Sequence, residues 1–364
     1  MKNSETQKTF SSKSHPTLQP FKHPKGMLYF YHQLAQALQE SPVVIATVTS
    51  IKGSVPREVG AKMIVFPNGQ IIGTIGGGAG EAKVIKQALK VLETGEKQLV
   101  AIDLSGAPHR ETQGVCGGIM QVWLERWSGT ASITLVNKIM NVLESGNSGA
   151  LVTPFDFAKF PYLIHPYSVT AAELEVSETV FIEPLLYPPT LLIIGAGHVA
   201  LPLAKIAHLV GFQIVVQDDR AEFACVERFP QATAILAQPI GEAILNLPQT
   251  SQLYAALVTR GYAQDLAALR ILLQRQVKYI GMIGSERRVR TVYQLLQNEE
   301  ISLKLLHKVY APIGLDIGAL TPEEIAVSIC AELIKVRRGG SGLSLSEIMG
   351  AASAENSPLI QRCF

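Results

Sequence analysis

The sequence has few cysteines, no excess of charge of either sign and no uninterrupted apolar run long enough to cross a bilayer. Its four cysteines lie far apart and form no Cys-x-x-Cys pair, which argues against a disulfide scaffold or a structural zinc site and favours the reducing cytoplasm. Lysine and arginine number 32 against 30 aspartates and glutamates, so the overall attraction to phosphate that dominates nucleic-acid binding is missing. The most apolar stretch, 191–216, is interrupted by two histidines, a proline and a lysine, and we expect it to form a buried strand and helix rather than a membrane span. These features predict a cytoplasmic protein whose partners include neither nucleic acid nor a membrane.

What is present is apolar: 47% of the 364 residues are hydrophobic and 17% are charged, which is typical of a folded globular protein. This length exceeds that of one ordinary hydrophobic core and predicts two domains. Residues 1–25 are polar and lack the apolar stretch of a secretion signal, so we expect a disordered leader. Because the Tyr-Pro-Pro sequence at 187–189 breaks the pattern, we predict a first domain over 26–187, a second over 190–337 and a weakly patterned tail over 338–364.

The first domain carries the patterns of a mixed α/β fold. A helix is predicted over 27–40, and the turn at 67–69 (Pro-Asn-Gly) joins two apolar runs into a hairpin. A second helical pattern follows Gly78 and ends at Gly95. The remaining predicted elements are strands at 43–48, 62–66, 70–75, 98–104, 119–125, 149–154 and 179–184, and a helix at 133–144.

The second domain alternates continuous apolar runs with helical patterns, as parallel strands covered on both faces do. Its last helix is marked by Thr321 as the N-cap, Pro322 at the first helical position and Glu324 as the capping-box partner. The predicted strands lie at 191–194, 213–216, 253–259 and 279–283, and the helices between them at 199–210, 265–275 and 286–297. This alternation predicts a Rossmann-like, doubly wound parallel sheet.

A dinucleotide fingerprint of the form Gly-x-Gly-x-x-Ala follows the first of these strands and opens a helix at 195–200. Gly195 permits a tight turn, and Gly197 lets a phosphate approach the backbone at the helix N-terminus. The acidic residue that holds a ribose hydroxyl is expected about 20 residues later, and Asp218 stands at that distance. NAD(P) is therefore a candidate cofactor; the alternative is a Rossmann fold whose site is vacant or takes another phosphate ligand.

Other candidates fall at the carboxyl ends of the predicted strands, the edge at which open α/β sheets bind ligands. His198 either donates to a phosphate or caps the helix. Arg260 and Asp265 follow one strand, and Gly284-Ser285 with Arg288 follows another. The arginines would attract an anion to this crevice, whereas the alternative for each of them is an ordinary solvated charge.

Two loops of the first domain are candidates for a second anion site. Arg57 ends the loop that begins at Gly53, and Gly76-Gly77-Gly78 precedes a helix with Glu81 in its first turn. Successive glycines let N–H groups converge on an oxyanion, although glycine clusters also form plain turns.

Cys116 precedes Gly117 and Gly118 in a third glycine-rich segment of this domain. An accessible thiolate there would be a soft metal ligand, a sulfur carrier or a nucleophile; the alternative is a small buried core residue. We expect the other three cysteines to be structural.

Together these motifs resemble the XdhC/CoxI family of xanthine dehydrogenase accessory proteins, along nearly the whole chain from about 43 to 336. The matching segments of the first domain are 53–57, 60–63, 73–78 with Glu81, and 116–118. Those of the second domain are 195–199, 218–220, 227–230, 259–261, 280–285 and 312–318.

The resemblance implies a protein that binds the molybdenum cofactor, as molybdopterin or as its dinucleotide, protects it, assists its sulfuration and delivers it. The implied partners are a xanthine dehydrogenase-type molybdoenzyme and a cysteine desulfurase. The loop residues named above become cofactor-binding candidates, and Cys116 becomes the candidate metal ligand. We also expect a homodimer, because so apolar a chain can hide more surface than it alone encloses.

Two departures from the family pattern favour a carrier over a catalyst. Ala79 stands where many members carry a cysteine, and Tyr262 stands where the sequence Thr-Arg-Gly-His is common. An NAD(P)-dependent oxidoreductase is the alternative function, and a scaffold that has lost ligand binding is a third. A single ligand site further requires that Cys116 and the loops 76–78 and 195–198 line one cleft.

Overall fold

The fold is taken from a computed structural model, which describes residues 26–104, 117–145, 149–164, 175–176, 179–186, 189–247 and 252–352. The predicted leader at 1–25, Cys116, and Tyr187 and Pro188 at the predicted domain boundary lie outside these residues.

A five-stranded antiparallel sheet organises the first domain, with strand order β3-β2-β1-β5-β4. Its elements in chain order are α1 (Met27–Glu40), β1 (Val43–Lys52), β2 (Lys62–Val65), β3 (Ile71–Gly73), α2 (Gly78–Thr94), β4 (Gln98–Asp103), β5 (Ile119–Trp127) and α3 (Gly129–Glu144). Apolar side chains of α2 fill one face of the sheet, and those of α1 and α3 fill the other. The predicted first helix and the hairpin of β2 and β3 are confirmed.

A second antiparallel sheet, with order β7-β6-β9-β8, completes this domain. It consists of β6 (Gly149–Pro154), β7 (Tyr162–Ile164), β8 (Glu175–Val176) and β9 (Val180–Leu185). Leu151 and Leu185 pack into the core that α1 and α3 share with the first sheet. A buried ion pair, Lys62 Nζ to Glu183 Oε2 at 2.8 Å, also joins the two sheets.

The second domain is built on a six-stranded parallel sheet with order β12-β11-β10-β13-β14-β15. Its elements are β10 (Thr190–Ile194), α4 (Ala200–Leu209), β11 (Gln213–Gln217), β12 (Ala234–Leu236), α5 (Ile240–Leu245), β13 (Leu253–Leu257), α6 (Tyr262–Leu272), β14 (Tyr279–Met282), α7 (Glu286–Asn298), α8 (Leu303–Leu306), β15 (Val309–Tyr310), α9 (Pro322–Arg338) and α10 (Leu345–Ala352). The four central strands are buried throughout, and a hydrophobic core lies on each face. The predicted doubly wound Rossmann-like fold is confirmed, and the order of its strands reverses between β10 and β13.

Several element boundaries differ from the sequence prediction. The helix α6 begins at Tyr262 rather than 265, because Gly261 is extended and forms the N-cap. The predicted tail contains a helix, α10, so the regular structure does not end at 337. The start of α9 is confirmed, with Thr321 and Glu324 forming both hydrogen bonds of a capping box. No helix in the described part of the chain is long and apolar enough to cross a membrane.

Candidate functional site

The loop between β10 and α4 lies at the point where the strand order reverses. Gly195 has a φ of +98°, and a Cβ on it would lie 2.7 Å from the carbonyl oxygen of Val258 after β13. A Cβ on Gly197 would meet no atom within 4 Å, so the backbone there is open to a ligand. Gly195 therefore permits the turn after β10 and the close approach of the chain after β13, and the backbone at Gly197 has open space beside it.

His198 is exposed at the beginning of α4, and no side chain caps this helix. The helix-capping interpretation of His198 is therefore not what the structure shows. The first N–H groups of a helix have no partner within the helix, and an uncapped N-terminus favours an anion.

Asp218 lies at the end of β11, where a ribose ligand was expected, but its carboxylate is already engaged by the chain itself. It accepts hydrogen bonds from Ala196 N at 2.8 Å, from Arg220 N at 3.1 Å, and from Arg220 Nε and Nη2 at 2.9 and 3.0 Å. Burial opposes ionisation, yet the hydrogen bonds from Arg220 and Ala196 outweigh it and hold the pKa of Asp218 well below its usual range. A ribose hydroxyl would have to compete with a charged, two-pronged partner.

Arg260 spans the crevice from the end of β13 to the end of β11. Its guanidinium forms a two-pronged ion pair with Asp219, with N–O distances of 3.0 and 2.9 Å, and Nη1 lies 3.7 Å from Asp218 Oδ1. Both Arg260 and Asp219 are about half exposed. The predicted anion-attracting arginine is thus paired with a carboxylate at the surface.

Asp265 is fully buried in the first turn of α6 and forms the centre of a second polar cluster. Its carboxylate accepts a hydrogen bond from Thr259 Oγ1 at 2.6 Å and from Arg288 Nε at 2.7 Å. Burial raises the pKa of Asp265, against the opposing effect of the Thr259 and Arg288 hydrogen bonds. The cluster links the ends of β13 and β14, and it neutralises Arg288.

Ser285 is the N-cap of α7, where its hydroxyl accepts from Arg288 N at 3.4 Å. A Cβ on Gly284 would lie 3.0 Å from Arg288 Cδ. These two residues, predicted as ligand contacts, therefore support the start of a helix and the position of Arg288.

In the first domain, three loops meet at one end of the first sheet. A Cβ on Gly53 would lie 3.1 Å from the carbonyl oxygen of Gly117, and a Cβ on Gly118 would collide with the backbone of the same loop. A Cβ on Gly76, whose φ is +134°, would collide with the ring of Pro56. We call this assembly of 53–57, 76–81 and 117–118 the glycine-loop cluster.

Glu81 occupies part of the predicted oxyanion site in this cluster. Its Oε2 accepts hydrogen bonds from Thr74 Oγ1 at 2.6 Å, from Ile75 N at 3.0 Å and from Gly77 N at 3.2 Å. The anion that these N–H groups hold is thus a side chain of the protein. Sequence reasoning missed this role, although a carboxylate in the first turn of a helix is a familiar signal of such capping.

The open part of the glycine-loop cluster lies beside Glu81 and its hydrogen bonds. A Cβ on Gly77, Gly78 or Gly117 would meet no atom within 4 Å, and Arg57 is exposed in the adjacent loop. Cys116, the predicted metal ligand, lies outside the described residues; within them, no three His, Cys, Asp or Glu side chains gather as a metal site. Cys330 is buried, which raises the pKa of its thiol to about 12 and fits the structural role expected for it.

The glycine-loop cluster and the crevice lie apart in one chain. Arg337 Nη2 donates to the carbonyl oxygen of Val210 at the end of α4, which marks the amino-terminal edge of the parallel sheet. The next residue, Arg338, lies with Nη1 3.5 Å from Glu58 Oε1, directly after the loop that contains Arg57. The crevice is at the opposite edge, and a five-residue strand spans about 17 Å. A single cleft lined by both sets of loops within one chain is therefore not what this arrangement provides.

The chain is similar over most of its length to known bacterial proteins. A probable xanthine dehydrogenase subunit of Bacillus subtilis (strain 168) is 28% identical over 331 residues, which cover 85% of this chain and 98% of that protein. An uncharacterized protein, YqeB, of Escherichia coli (strain K12) is 28% identical over 305 residues, which cover 84% of this chain. The chain spans only 45% of the length of YqeB. A crystal structure described as a xanthine dehydrogenase from Bacillus halodurans has a TM-score of 0.71 and 26% identity, and covers 88% of this chain and 99% of that one.

Two family models match successive parts of the chain. The model of the XdhC and CoxI family matches residues 37–103, which include β1 to β4 and two of the three loops of the glycine-loop cluster. The model of the XdhC Rossmann domain matches residues 191–333, which include the crevice. The two matches together cover more than half of the sequence in the order of the family's architecture, and the chain belongs to the XdhC and CoxI family.

Proposed function

We propose that this protein is an accessory factor of a xanthine dehydrogenase-type molybdoenzyme. In this role it binds the molybdenum cofactor, as molybdopterin or its dinucleotide, protects it, assists its sulfuration with a cysteine desulfurase as sulfur source, and delivers it. Family membership and the names of the Bacillus relatives support the link to xanthine dehydrogenase. The observation that carries the proposal is the meeting of three separate loops in one glycine-loop cluster.

The open half of the glycine-loop cluster suits the phosphate-bearing part of a pterin cofactor. Backbone at Gly77, Gly78 and Gly117 is accessible, and Arg57 supplies a cation beside it. A phosphate held by backbone N–H groups and one arginine is a common arrangement in proteins. Because Glu81 already takes the N–H groups of Ile75 and Gly77, a ligand anion has to bind on the other side of this loop.

The soft metal of the cofactor calls for a thiolate, and we assign this role to Cys116. When bound, the cofactor supplies the redox-active molybdenum centre that the client enzyme uses. The chain's own residues hold it, keep it from water and orient it for transfer. We propose that the protein does so as a cytoplasmic homodimer.

The test is to purify the full-length protein after expression with molybdate and to measure bound pterin by its fluorescence after oxidation and bound molybdenum by mass spectrometry. Cys116→Ala should lose most of both signals. Cys225→Ala is the matched control, because Cys225 is a half-buried free cysteine of the other domain and should retain both. Delivery is measured as the activity gained by a cofactor-free xanthine dehydrogenase when the loaded protein is added.

Two results would contradict the proposal in distinct ways. Pterin and molybdenum retained equally by Cys116→Ala and the control would reject the thiolate ligand. A protein that binds no pterin, or a loaded protein that activates no client, would reject the carrier function itself.

An NAD(P)-dependent oxidoreductase is the second candidate, and the strand order with its glycine loop at the reversal point favours it. The engaged carboxylate of Asp218 weakens this candidate, since the usual ribose partner is not free. Fluorescence titration with NADH and NADPH separates the two functions, because a dehydrogenase binds at least one of them at micromolar concentration. A protein that binds neither dinucleotide nor pterin would be a scaffold.

A further inference from the structure

The strand β4 ends the five-stranded sheet of the first domain, so one edge of that sheet is open. In the described part of the chain six strands end a sheet; β4 has six residues, and the other five have two or three each. A terminal strand presents its main-chain N–H and C=O groups to other chains, and natural proteins commonly keep such strands short. The length of β4 departs from this pattern and suggests that its edge is used.

The residues of β4 that turn their main chain to the open edge follow from the contacts at the end of the strand. Leu104 N donates to Gly118 O at 2.7 Å, so Leu104 turns its peptide groups towards β5. Because this direction alternates along a strand, Leu99 and Ala101 turn theirs to the open edge. The contact of Lys83 Nζ in α2 with Ala101 O, at 3.4 Å, agrees with this assignment. The N–H groups of Leu99 and Ala101 and the C=O group of Leu99 therefore face the position of a further strand.

One side of the open edge is apolar. The side chains of Leu99 and Ala101 are exposed on the sheet face opposite α2, and that of Leu99 is 50% exposed. Leu99 pairs with Trp123 of β5, and the ring of Phe157 packs on Trp123 with 5.8 Å between the centroids. Phe157 and Phe160 are themselves 65% and 70% exposed. Large apolar side chains that are exposed together mark a surface for another protein.

The other side of the open edge is basic. Lys83, Lys86 and Lys90 are three and four residues apart in α2, a spacing that places them on one side of the helix. The contact of Lys83 with Ala101 O shows that this side faces the edge of β4. Glu93 follows Lys90 in the last turn of the helix. Three ammonium groups against one carboxylate give this side of the edge a positive charge.

The two sides together select the occupant. Successive side chains of a strand point to opposite faces of the sheet, so a strand added to β4 would place every second side chain beside Leu99 and the others beside the lysines. Apolar side chains suit the first position and acidic ones the second. A second copy of this chain, paired through its own β4, fits worse because it would bring two rows of lysines face to face.

We propose that the open edge of β4 docks a protein partner, which adds to the sheet an extended segment of alternating apolar and acidic residues. Main-chain hydrogen bonds to Leu99 and Ala101 hold the segment, and the apolar and basic sides of the edge select its sequence. Since β4 leads through Leu104 to Gly118, the docked segment lies next to the glycine-loop cluster. This docking surface is independent of which cofactor the cluster holds.

The test uses the full-length protein and a fluorescent peptide of about eight residues in which valine and glutamate alternate, a length matched to β4. Fluorescence polarisation at low salt should show saturable binding, and hydrogen exchange should show that the bound peptide protects residues 98–104. A peptide of alternating valine and lysine should bind at least about fivefold more weakly.

Substitutions at the edge separate its charge from its main chain. Lys86→Glu should weaken binding of the valine–glutamate peptide by about fivefold or more. Lys138→Glu is the matched control, because Lys138 is exposed on α3 of the same domain, and it should not change binding. Ala101→Pro should abolish binding, since proline removes the outward N–H group and is accepted in terminal strands.

Several results would overturn the proposal. They are a valine–glutamate peptide that does not bind, equal binding of the valine–lysine peptide, equal binding by Lys86→Glu and its control, and protection from exchange at residues other than those of β4. If Ala101→Pro does not fold, hydrogen exchange of the unsubstituted protein decides where the peptide binds. A dimer that Ala101→Pro converts into a monomer in sedimentation would assign the edge to a second copy of the chain and reject the acidic partner.

Discussion

Replacing Asp218 with asparagine tests whether this carboxylate is an internal brace of the crevice. The substitution keeps the shape of the side chain but removes its negative charge. In the unsubstituted protein the carboxylate accepts hydrogen bonds from Arg220 Nε and Nη2 and from Ala196 N. Breaking a buried ion pair costs roughly 3–5 kcal/mol, and one hydrogen bond to a charged group contributes about 1.5–3 kcal/mol. Because the Arg220 side chain is 32% exposed and can be hydrated after the change, we expect a loss of about 2 kcal/mol in the free energy of unfolding.

The control is Asp219→Asn, which breaks the neighbouring ion pair with Arg260. That pair is exposed on both sides, and exposed pairs contribute less than about 1 kcal/mol. Both tryptophans, Trp123 and Trp127, lie in β5 of the first domain, so tryptophan fluorescence in urea reports on that domain only. The loss of stability in the second domain is therefore measured by hydrogen exchange of peptides from β10 and β11. The urea midpoint of tryptophan fluorescence should not change.

The loss of stability caused by Asp218→Asn should depend on pH. The folded pKa of Asp218 lies below the unfolded value of about 3.9, so its carboxylate stabilises the folded state above that pH and the contribution is lost as the pH falls below it. The difference in the free energy of unfolding between the unsubstituted protein and Asp218→Asn should therefore stay constant from pH 7 to about pH 5 and narrow only as the pH falls below about 3.9. A loss below about 0.5 kcal/mol at pH 7, or an equal loss in Asp219→Asn, would refute the idea of a brace.

Three further predictions follow from the geometry of single residues. Gly195→Ala should lower the free energy of unfolding of the second domain by at least about 2 kcal/mol, because Gly195 has a positive φ and a Cβ would lie too close to Val258 O. Gly197→Ala should lower it by less than about 1 kcal/mol, since a Cβ there meets no atom. Hydrogen exchange measures both losses, and equal losses would contradict the packing. Glu81→Gln should lower the free energy of unfolding of the first domain by about 1–2 kcal/mol, since three donors lose a charged acceptor. The urea transition followed by tryptophan fluorescence should move to lower urea, and an unchanged midpoint would contradict the role of Glu81. Native thiol titration should give the same count for Cys330→Ala as for the unsubstituted protein, with a difference of one thiol only after denaturation.

The fold of the second domain was predictable because its signals are local. Buried parallel strands are continuous apolar runs, and the glycine loop and the capping box at Thr321 are fixed by neighbours within a few residues. The short β12 and the helix α5 were missed, since β12 has only three residues and Pro239 and Gly241 obscure the helical pattern.

The crevice residues follow the ends of β10, β11, β13 and β14, as the sequence pattern indicates, but their partners were not predictable. Asp218 stands where the fingerprint expects it, yet whether it meets a ribose or Arg220 depends on a side-chain conformation that spacing does not encode. Arg260 and Asp219 are 41 residues apart, and their pairing requires the order of strands in the sheet. The arginines were expected to attract anions because a sequence shows which residues are charged but not which carboxylates pair with them.

The two candidate sites share one feature. In each, a carboxylate of the chain accepts hydrogen bonds from backbone N–H groups that could otherwise donate to an anionic ligand. Glu81 does this in the glycine-loop cluster, and Asp218 does it for Ala196 in the crevice. An internal carboxylate fixes the loop before any ligand arrives, so little ordering entropy remains to oppose binding. It also repels a second anion from the same N–H groups, which leaves the neighbouring open backbone, at Gly78 and Gly117 in one site and Gly197 in the other, as the surface that a ligand can reach. A phosphate-bearing ligand at either site must therefore approach from the open side, and substitutions there should change binding while substitutions of the carboxylates change mainly stability.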